Sequence, residues 1–447
     1  MTSAAAPNRL PPMERTSHAK NGFTLWNSRH AGLGRLVWSE YCYLAGALLA
    51  AYFVVDPTNA DLLSHASTKH LPWMVTMAGA ALTFVGHNLS PSRAGYSKTG
   101  HVLRATWPFL TLSVMTLCGS LYARVISGIH DTYLTWGMYM SLVYVAARMM
   151  YETTAPLALM KAYMTLLLAA ATTMAIWIVT TDNGFQRFHN EIFLVTPFAM
   201  FFAAGAYGWG ARWAGFWGFM LSAVFGYKNT AYIVGIGIVV YAVAFLYLPT
   251  IRRRSRFGKT AAWFTLGVAA TVTLALILYV IQHHAAYLPS GNTRFRLAMY
   301  EQAWQQFLKS PIFGTFFSSP VTHHFDVFWV GVSNNVLPTH SDVLDLLRGG
   351  GMTAALLYLL GMSTIARKVQ GSLLRSPHLG STWVQAVHTL VVMSLAGIVT
   401  FAFNPVFLDP GTAYFLWTNL GLLLGIALRA ERGVPHLGAG TAVAEDR

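Results

Sequence analysis

Two arginines and a histidine lie in the longest polar stretch of the chain, residues 282–349. Arg294 and Arg296 stand near the start of the run RLAMYEQAWQQFLKSP, and His340 stands in LPTHSDVLDLLRGGG. A guanidinium presents a planar fork of donors that binds phosphate through two hydrogen bonds. A neutral imidazole can take up a proton as a general base. These residue types suit the binding of an anionic group beside a proton transfer.

The run that begins at Arg296 predicts a short amphipathic helix, which Ser310-Pro311 ends. Its apolar residues recur at the spacing of one helix face: Tyr300, Ala303, Trp304, Phe307 and Leu308. Such a helix lies along a membrane surface or over a cavity. Arg296, at its start, either aims at phosphate or extends its side chain to the membrane–water interface.

A second helix is predicted directly after His340. Thr339 and Asp342 match the S/T-x-x-D/E signal of a helix start, and Ser341 is a second candidate cap. The dipole of a helix N-terminus disfavours an imidazolium, whereas Asp342 and Asp345 favour it unless one of them orients the ring. His340 is therefore a candidate base, and the alternative is an interfacial histidine without a chemical role.

Lys228, in FGYKNTAY, lies at the outer end of two adjoining apolar segments. A cation there either faces an anion in a cavity or extends to the interface. The pairs His283/His284 and His323/His324 lack the spacing of a defined metal site, so no metal is predicted.

The composition requires a membrane protein. Hydrophobic residues form 55% of the 447 residues, charged residues only 10%, and the mean hydropathy is +0.46. The expected class is an all-α, polytopic helical membrane protein rather than a β-barrel, with about twelve spans. The spans are 36–55, 71–87, 106–126, 132–150, 160–180, 191–208, 213–227, 230–250, 260–281, 350–365, 383–403 and 410–428.

The distribution of Lys and Arg predicts the orientation. With the N-terminus inside, 22 of the 30 cations fall on the cytoplasmic side, including those of IRRRSR at 251–256. The net charge of +14 therefore reflects topology and does not indicate nucleic acid. The predicted divisions are a cytoplasmic tail (1–35), nine spans (36–281), an outer loop (282–349), three spans (350–428) and a cytoplasmic tail (429–447). Eight cations remain outside and suggest an anionic substrate: Lys69, Arg124, Arg187, Lys228, Arg294, Arg296, Lys309 and Arg348.

The order of two short motifs in the outer loop resembles the superfamily of O-antigen ligases and polymerases. The matching residues are Arg296, Tyr300, Pro311 and Gly314, followed by His340, Leu344, Leu347 and Gly351. Lys228 stands where the family usually has arginine, and Ser341 follows the histidine where asparagine is usual.

The resemblance implies an inverting, metal-independent membrane glycosyltransferase of the GT-C type, without a cofactor. Its donor would be a glycan linked through pyrophosphate to undecaprenol, at the periplasmic face of the inner membrane. His340 and Arg296 would be the catalytic residues, and Lys228, Arg296 and Arg294 would bind the pyrophosphate. The acceptor would be another lipid-linked repeat unit in a polymerase of O-antigen or exopolysaccharide, or lipid A-core in a ligase. A chain-length regulator is a further partner to consider.

Two functions of other classes remain open at the level of sequence. A transporter of lipid-linked sugars or anions would place its cations at mid-membrane depth in broken helices. A non-catalytic partner in polysaccharide assembly would tolerate loss of Arg296 and His340. The concentration of cations in and beside the outer loop favours an enzyme.

Overall fold

The computed structural model describes residues 38–55, 70–88, 96–153, 155–180, 292–324, 336–337, 339–375 and 410–431, and short pieces between 387 and 407. These parts are helical, apart from turns and one pair of two-residue strands, which confirms the all-α class for them. The helices are α1 (Trp38–Val55), α2 (Leu71–Asn88), α3 (Tyr96–Ile126), α4 (Leu134–Met140), α5 (Leu142–Glu152), α6 (Pro156–Thr180), α7 (Asn292–Lys309), α8 (Asp342–Arg375) and α9 (Pro410–Glu431). Strands β1 (His323–His324) and β2 (Val336–Leu337) pair antiparallel, with His323 opposite Leu337.

Three helices of the described part are long and apolar enough to cross a membrane: Gly100–Ile126, Asp342–Gly371 and Pro410–Glu431. They contain the predicted spans 106–126, 350–365 and 410–428, so the chain has the character of a membrane protein. The predicted spans 191–208, 213–227, 230–250 and 260–281 lie outside the described residues. The total of twelve therefore stays a prediction.

One predicted span, 132–150, is wrong as a single helix because α4 and α5 divide at Ser141. The Ser141 hydroxyl donates to the Met138 carbonyl at 2.6 Å and accepts from the Trp73 indole N–H at 3.0 Å. A serine that bonds back to the preceding turn competes with the helical hydrogen bonds, which fits the division of the helix at this residue.

Helix α9 forms the centre of the described core, with every residue from Pro410 to Leu428 buried. It crosses α5 closely because Gly421 and Gly425 carry no side chain at the contact. A Cβ at Gly421 would lie 2.6 Å from the Val143 carbonyl oxygen, and one at Gly425 would lie 2.6 Å from that of Ala147. Small residues four apart allow two apolar helices to approach in this way.

Helix α8 continues the segment that contains His340 into a helix long and apolar enough to cross a membrane. The helix runs from Asp342 to Arg375, across the predicted boundary between residues 349 and 350. It is interrupted only at Gly351, whose φ of 64° and ψ of −162° are not helical. Any residue with a side chain is strained in that conformation. The segment that follows His340 is thus continuous with a helix long and apolar enough to cross a membrane.

Candidate functional site

Helix α7 confirms the amphipathic helix predicted in the outer loop, with a different start and a different buried face. It begins at Asn292, so Arg296 lies in its second turn. Its fully buried side chains are Met299, Ala303 and Phe307. Trp304 and Leu308, predicted on the same face, are 44% and 50% exposed. The helix therefore packs on the protein through one edge and leaves an apolar edge uncovered.

Tyr300 connects the two predicted catalytic residues. Its hydroxyl donates to the backbone carbonyl of His340 at 3.1 Å. Burial raises the pKa of Tyr300, and the hydrogen bond and positive charge of Arg296 oppose that rise. The hydroxyl therefore stays protonated at physiological pH and can donate to His340 while it interacts with Arg296. Two residues 44 positions apart in sequence are brought together through one side chain.

His340 adopts a left-handed backbone conformation, with a φ of 56°. Few residues other than glycine do so, and the conformation persists only where surrounding contacts hold it. The side chain is half-buried, and the residue precedes α8 directly. The predicted position of His340 at a helix N-terminus is confirmed.

The cap of α8 is Ser341 and not Thr339. The Ser341 carbonyl accepts from the Asp345 N–H at 3.0 Å, and its hydroxyl faces the Leu344 N–H at 3.5 Å. The Thr339 hydroxyl instead donates to the Asp345 carboxylate at 2.6 Å.

Both carboxylates of the first turn of α8 are fully buried and engaged with other parts of the protein. Asp342 Oδ2 accepts from the Phe407 N–H at 2.9 Å. Asp345 forms an ion pair with Arg348 at 3.2 Å, with both side chains at most 1% exposed. Asp345 thus joins the first turn of α8 to Arg348 in the following turn, and Asp342 joins it to Phe407 before α9.

Arg348 was expected among the outer cations that favour an anionic substrate, and this expectation is wrong. Its Nη2 donates to the Tyr133 hydroxyl and to the carbonyls of Pro320 and Val321, the latter two at 3.2 Å. The arginine therefore holds the segment after α7 against the start of α4. Its pairing with Asp345 was visible as an i,i+3 spacing, whereas the contact with Tyr133 spans 215 positions and has no local signal.

The segment 311–317, which follows α7, docks into the break of α8. The Thr315 and Phe317 N–H groups donate to the carbonyls of Arg348 and Gly349, at 3.0 and 2.7 Å. In return, the Pro311 carbonyl accepts from the Met352 N–H at 2.8 Å, and the Ile312 carbonyl accepts from the Thr353 N–H at 3.1 Å. The backbone groups freed by the break are therefore satisfied.

Phe317 explains two of the three glycines that stand in a row at this break. Its buried ring packs against Gly349 and Gly350, where a Cβ would lie 2.6 Å from ring carbons. The same ring meets Tyr133 edge-on, with 5.2 Å between centroids. Phe316 and Phe317 both have positive φ, of 54° and 57°. The docked segment is thus held in a conformation that its own residues disfavour.

The remaining predicted residues are placed only in part. Arg294 belongs to α7, and Arg124 is half-buried in the last turn of α3. Lys228, Lys69 and Arg187 lie outside the described residues. The same holds for His283/His284, whereas His323 and His324 form β1. Among the described residues, no three His, Cys, Asp or Glu side chains group as metal ligands would.

No family model matches the sequence, and no curated protein is significantly similar to it. The resemblance to O-antigen ligases and polymerases therefore rests on the motif residues and stays a hypothesis.

Proposed function

We propose that the protein is a membrane glycosyltransferase that polymerises polysaccharide repeat units linked to undecaprenyl pyrophosphate. The observation that carries the proposal is the bridge of Tyr300 between Arg296 and His340. It links a residue type that binds phosphate to the backbone of a candidate base, at the junction of an amphipathic helix and a helix long and apolar enough to cross a membrane. The products would be O-antigen or exopolysaccharide, formed at the periplasmic face of the inner membrane.

In the proposed reaction, a hydroxyl of the acceptor sugar attacks the anomeric carbon of the donor sugar from the side opposite the leaving group. His340 accepts the hydroxyl proton as the new carbon–oxygen bond forms. The bond between the anomeric carbon and the phosphate oxygen breaks, and undecaprenyl pyrophosphate departs with the bonding electrons. Arg296, with Lys228 and Arg294, offsets the negative charge on the departing pyrophosphate. The configuration at the anomeric carbon is inverted, and no metal or cofactor takes part.

The proposal is supported by the way the two motif segments pack. Tyr300 contacts His340, and Gly314 contacts Gly351, so each motif of the outer loop meets the other at two points. The strained backbone of His340 adds support, since such strain gathers at functional sites. Arg348, in contrast, has a structural role in the core. Among the described cations of this site, Arg296 is therefore the one best suited to bind a substrate.

A gene-deletion strain complemented with the wild type, His340→Ala or Arg296→Ala tests the proposal. Lipid-linked intermediates and surface polysaccharides are extracted and compared by gel. We expect the deletion and both variants to leave single repeat units without long chains, and both variant proteins to be present at the wild-type level. Intact polymer in the His340→Ala strain would reject the catalytic assignment.

The same experiment separates the alternatives. Long chains that accumulate on undecaprenyl pyrophosphate, with none on lipid A-core, would identify a ligase. A transporter of lipid-linked sugars or anions is the alternative of another class. This alternative is favoured if detergent extracts of the deletion strain still polymerise repeat units while its cells lack surface polysaccharide.

A further inference from the structure

We propose that Thr339 and Asp345 are positioning residues, which hold His340 in the conformation that the reaction needs. The inference rests on the proposed function, because it assigns a role to groups that act through His340. Neither residue is among those that carry the resemblance to O-antigen ligases and polymerases, and neither is offered as a group that touches substrate.

The first step of the argument is the backbone of His340. A φ of 56° is unfavourable for a residue with a side chain. Left alone, residues 339–341 would relax and turn the imidazole to a different direction. Contacts on both sides of His340 must therefore fix the chain.

The second step is the identity of those contacts. On one side, the fully buried hydroxyl of Thr339 donates to Asp345 Oδ1 at 2.6 Å. On the other side, Ser341 is fixed as the first residue to accept a helical hydrogen bond of α8, from the Asp345 N–H at 3.0 Å. Asp345 thus holds both neighbours of His340, one through its side chain and one through its backbone. The Tyr300 hydroxyl holds the carbonyl between them.

The third step is the rigidity of Asp345. Its carboxylate is fully buried and paired with Arg348 at 3.2 Å, and Arg348 in turn donates to the carbonyls of Pro320 and Val321. A hydrogen bond to a buried, paired carboxylate is short and strong compared with one between neutral groups. The contact of Thr339 therefore anchors the His340 segment to an element that cannot easily shift.

The test compares three variants: Thr339→Val, which keeps the side-chain shape and removes the hydroxyl; Thr339→Ser, which restores it; and His340→Ala. Transfer is assayed in membranes with a lipid-linked donor, and kcat and KM are measured separately. For Thr339→Val we expect about a 10- to 100-fold loss in kcat at nearly unchanged KM, by analogy with the loss of one charge-assisted hydrogen bond. Thr339→Ser should recover most of the activity, and protein levels of all three should match the wild type.

The outcomes separate the inference from the proposed function. If His340→Ala keeps the full transfer activity of the wild type, the catalytic assignment of His340 fails and the inference fails with it, whereas an absence of transfer by the wild type would overturn the proposed function. If His340→Ala is inactive while Thr339→Val has normal kcat, only the inference is overturned. A Thr339→Val protein with reduced abundance is compared per molecule in detergent solution, where unchanged kcat would again overturn the inference.

Discussion

Gly314 and Gly351 pack backbone against backbone where the segment 311–317, which follows α7, meets α8. A Cβ on Gly314 would lie 2.7 Å from the Gly351 nitrogen, and a Cβ on Gly351 would lie 2.6 Å from the Gly314 nitrogen. Both residues also have positive φ, of 58° and 64°. Two motif glycines that are 37 positions apart in sequence thus share one contact, and neither can carry a side chain.

Gly351→Ala should strongly destabilise the protein, because the new methyl group meets the Ile312 carbonyl and the backbone must keep a positive φ. Strain and overpacking together are expected to cost about 2–5 kcal/mol. Gly371→Ala is the matched control in the same helix, since a Cβ there meets nothing within 4 Å. Alanine should be neutral or stabilising at that position by about 1 kcal/mol. Thermal unfolding in detergent measures both, and equal midpoints would contradict the assignment.

Tyr300→Phe should reduce transfer without reducing protein level. The variant removes the hydroxyl that donates to the His340 carbonyl and interacts with Arg296. Loss of one such hydrogen bond, about 1–3 kcal/mol, corresponds to a fall in rate of about 5- to 100-fold. Tyr122→Phe is the control, since Tyr122 is 56% exposed. The measurement is polymer length and amount by gel, and wild-type polymer from Tyr300→Phe would argue against the bridge.

Arg348→Met should destabilise the fold far more than removal of an exposed cation. The variant leaves the buried Asp345 carboxylate without its ion-pair partner, and frees the carbonyls of Pro320 and Val321. Breaking a buried pair in this way costs about 3–5 kcal/mol. Lys368→Met removes a pair with Glu431 in which both side chains are 37% exposed, and should cost less than about 1 kcal/mol. Urea or thermal unfolding compares the two, and a similar loss in both would show that Arg348 is not a structural residue.

The exposed apolar edge formed by α7 and the residues that follow it should contact lipid. Five large apolar residues between 304 and 316 are each 44–62% exposed: Trp304, Leu308, Ile312, Phe313 and Phe316. Exposed apolar side chains with tryptophan among them are typical of the membrane interface. A spin label at Trp304→Cys should be more accessible to oxygen than to a polar nickel reagent, whereas one at Gln305→Cys, on the exposed polar face, should show the reverse.

The label requires Cys42→Ser and Cys118→Ser as background, since these are the free cysteines of the described part of the chain. Equal accessibility profiles at Trp304→Cys and Gln305→Cys would place the whole helix in water. That result would also remove the interfacial interpretation of α7.

Local patterns in the sequence predicted the elements of the site, while its long-range contacts had no such signal. The apolar spacing after Arg296 predicts α7, and the cap signal after His340 predicts the start of α8, because both depend on residues within a few turns. Thr339 and Ser341 were both candidate caps, and the sequence did not decide between them, because the hydrogen bond from Thr339 to Asp345 spans six residues.

Burial and backbone conformation were the quantities that the sequence could not predict. The apolar spacing of α7 did not distinguish the covered edge at Met299 from the exposed edge at Trp304. Charge alone placed Arg348 with the substrate-binding cations, although its partners Tyr133 and Asp345 make it part of the core. The left-handed φ of His340 depends on contacts with Tyr300 that are distant in sequence.

The docking of residues 311–317 into the break of α8 has a mechanical consequence. Four backbone hydrogen bonds join the two pieces, and each is worth about 0.5–1.5 kcal/mol. Separating them would also expose the unpaired polar groups of the interrupted helix to an apolar surrounding. Residues 311–317 and α8 should therefore move together as one rigid unit. If the protein is the glycosyltransferase proposed above, a substrate that enters beside His340 has to be admitted by motion of other segments, while this junction stays rigid.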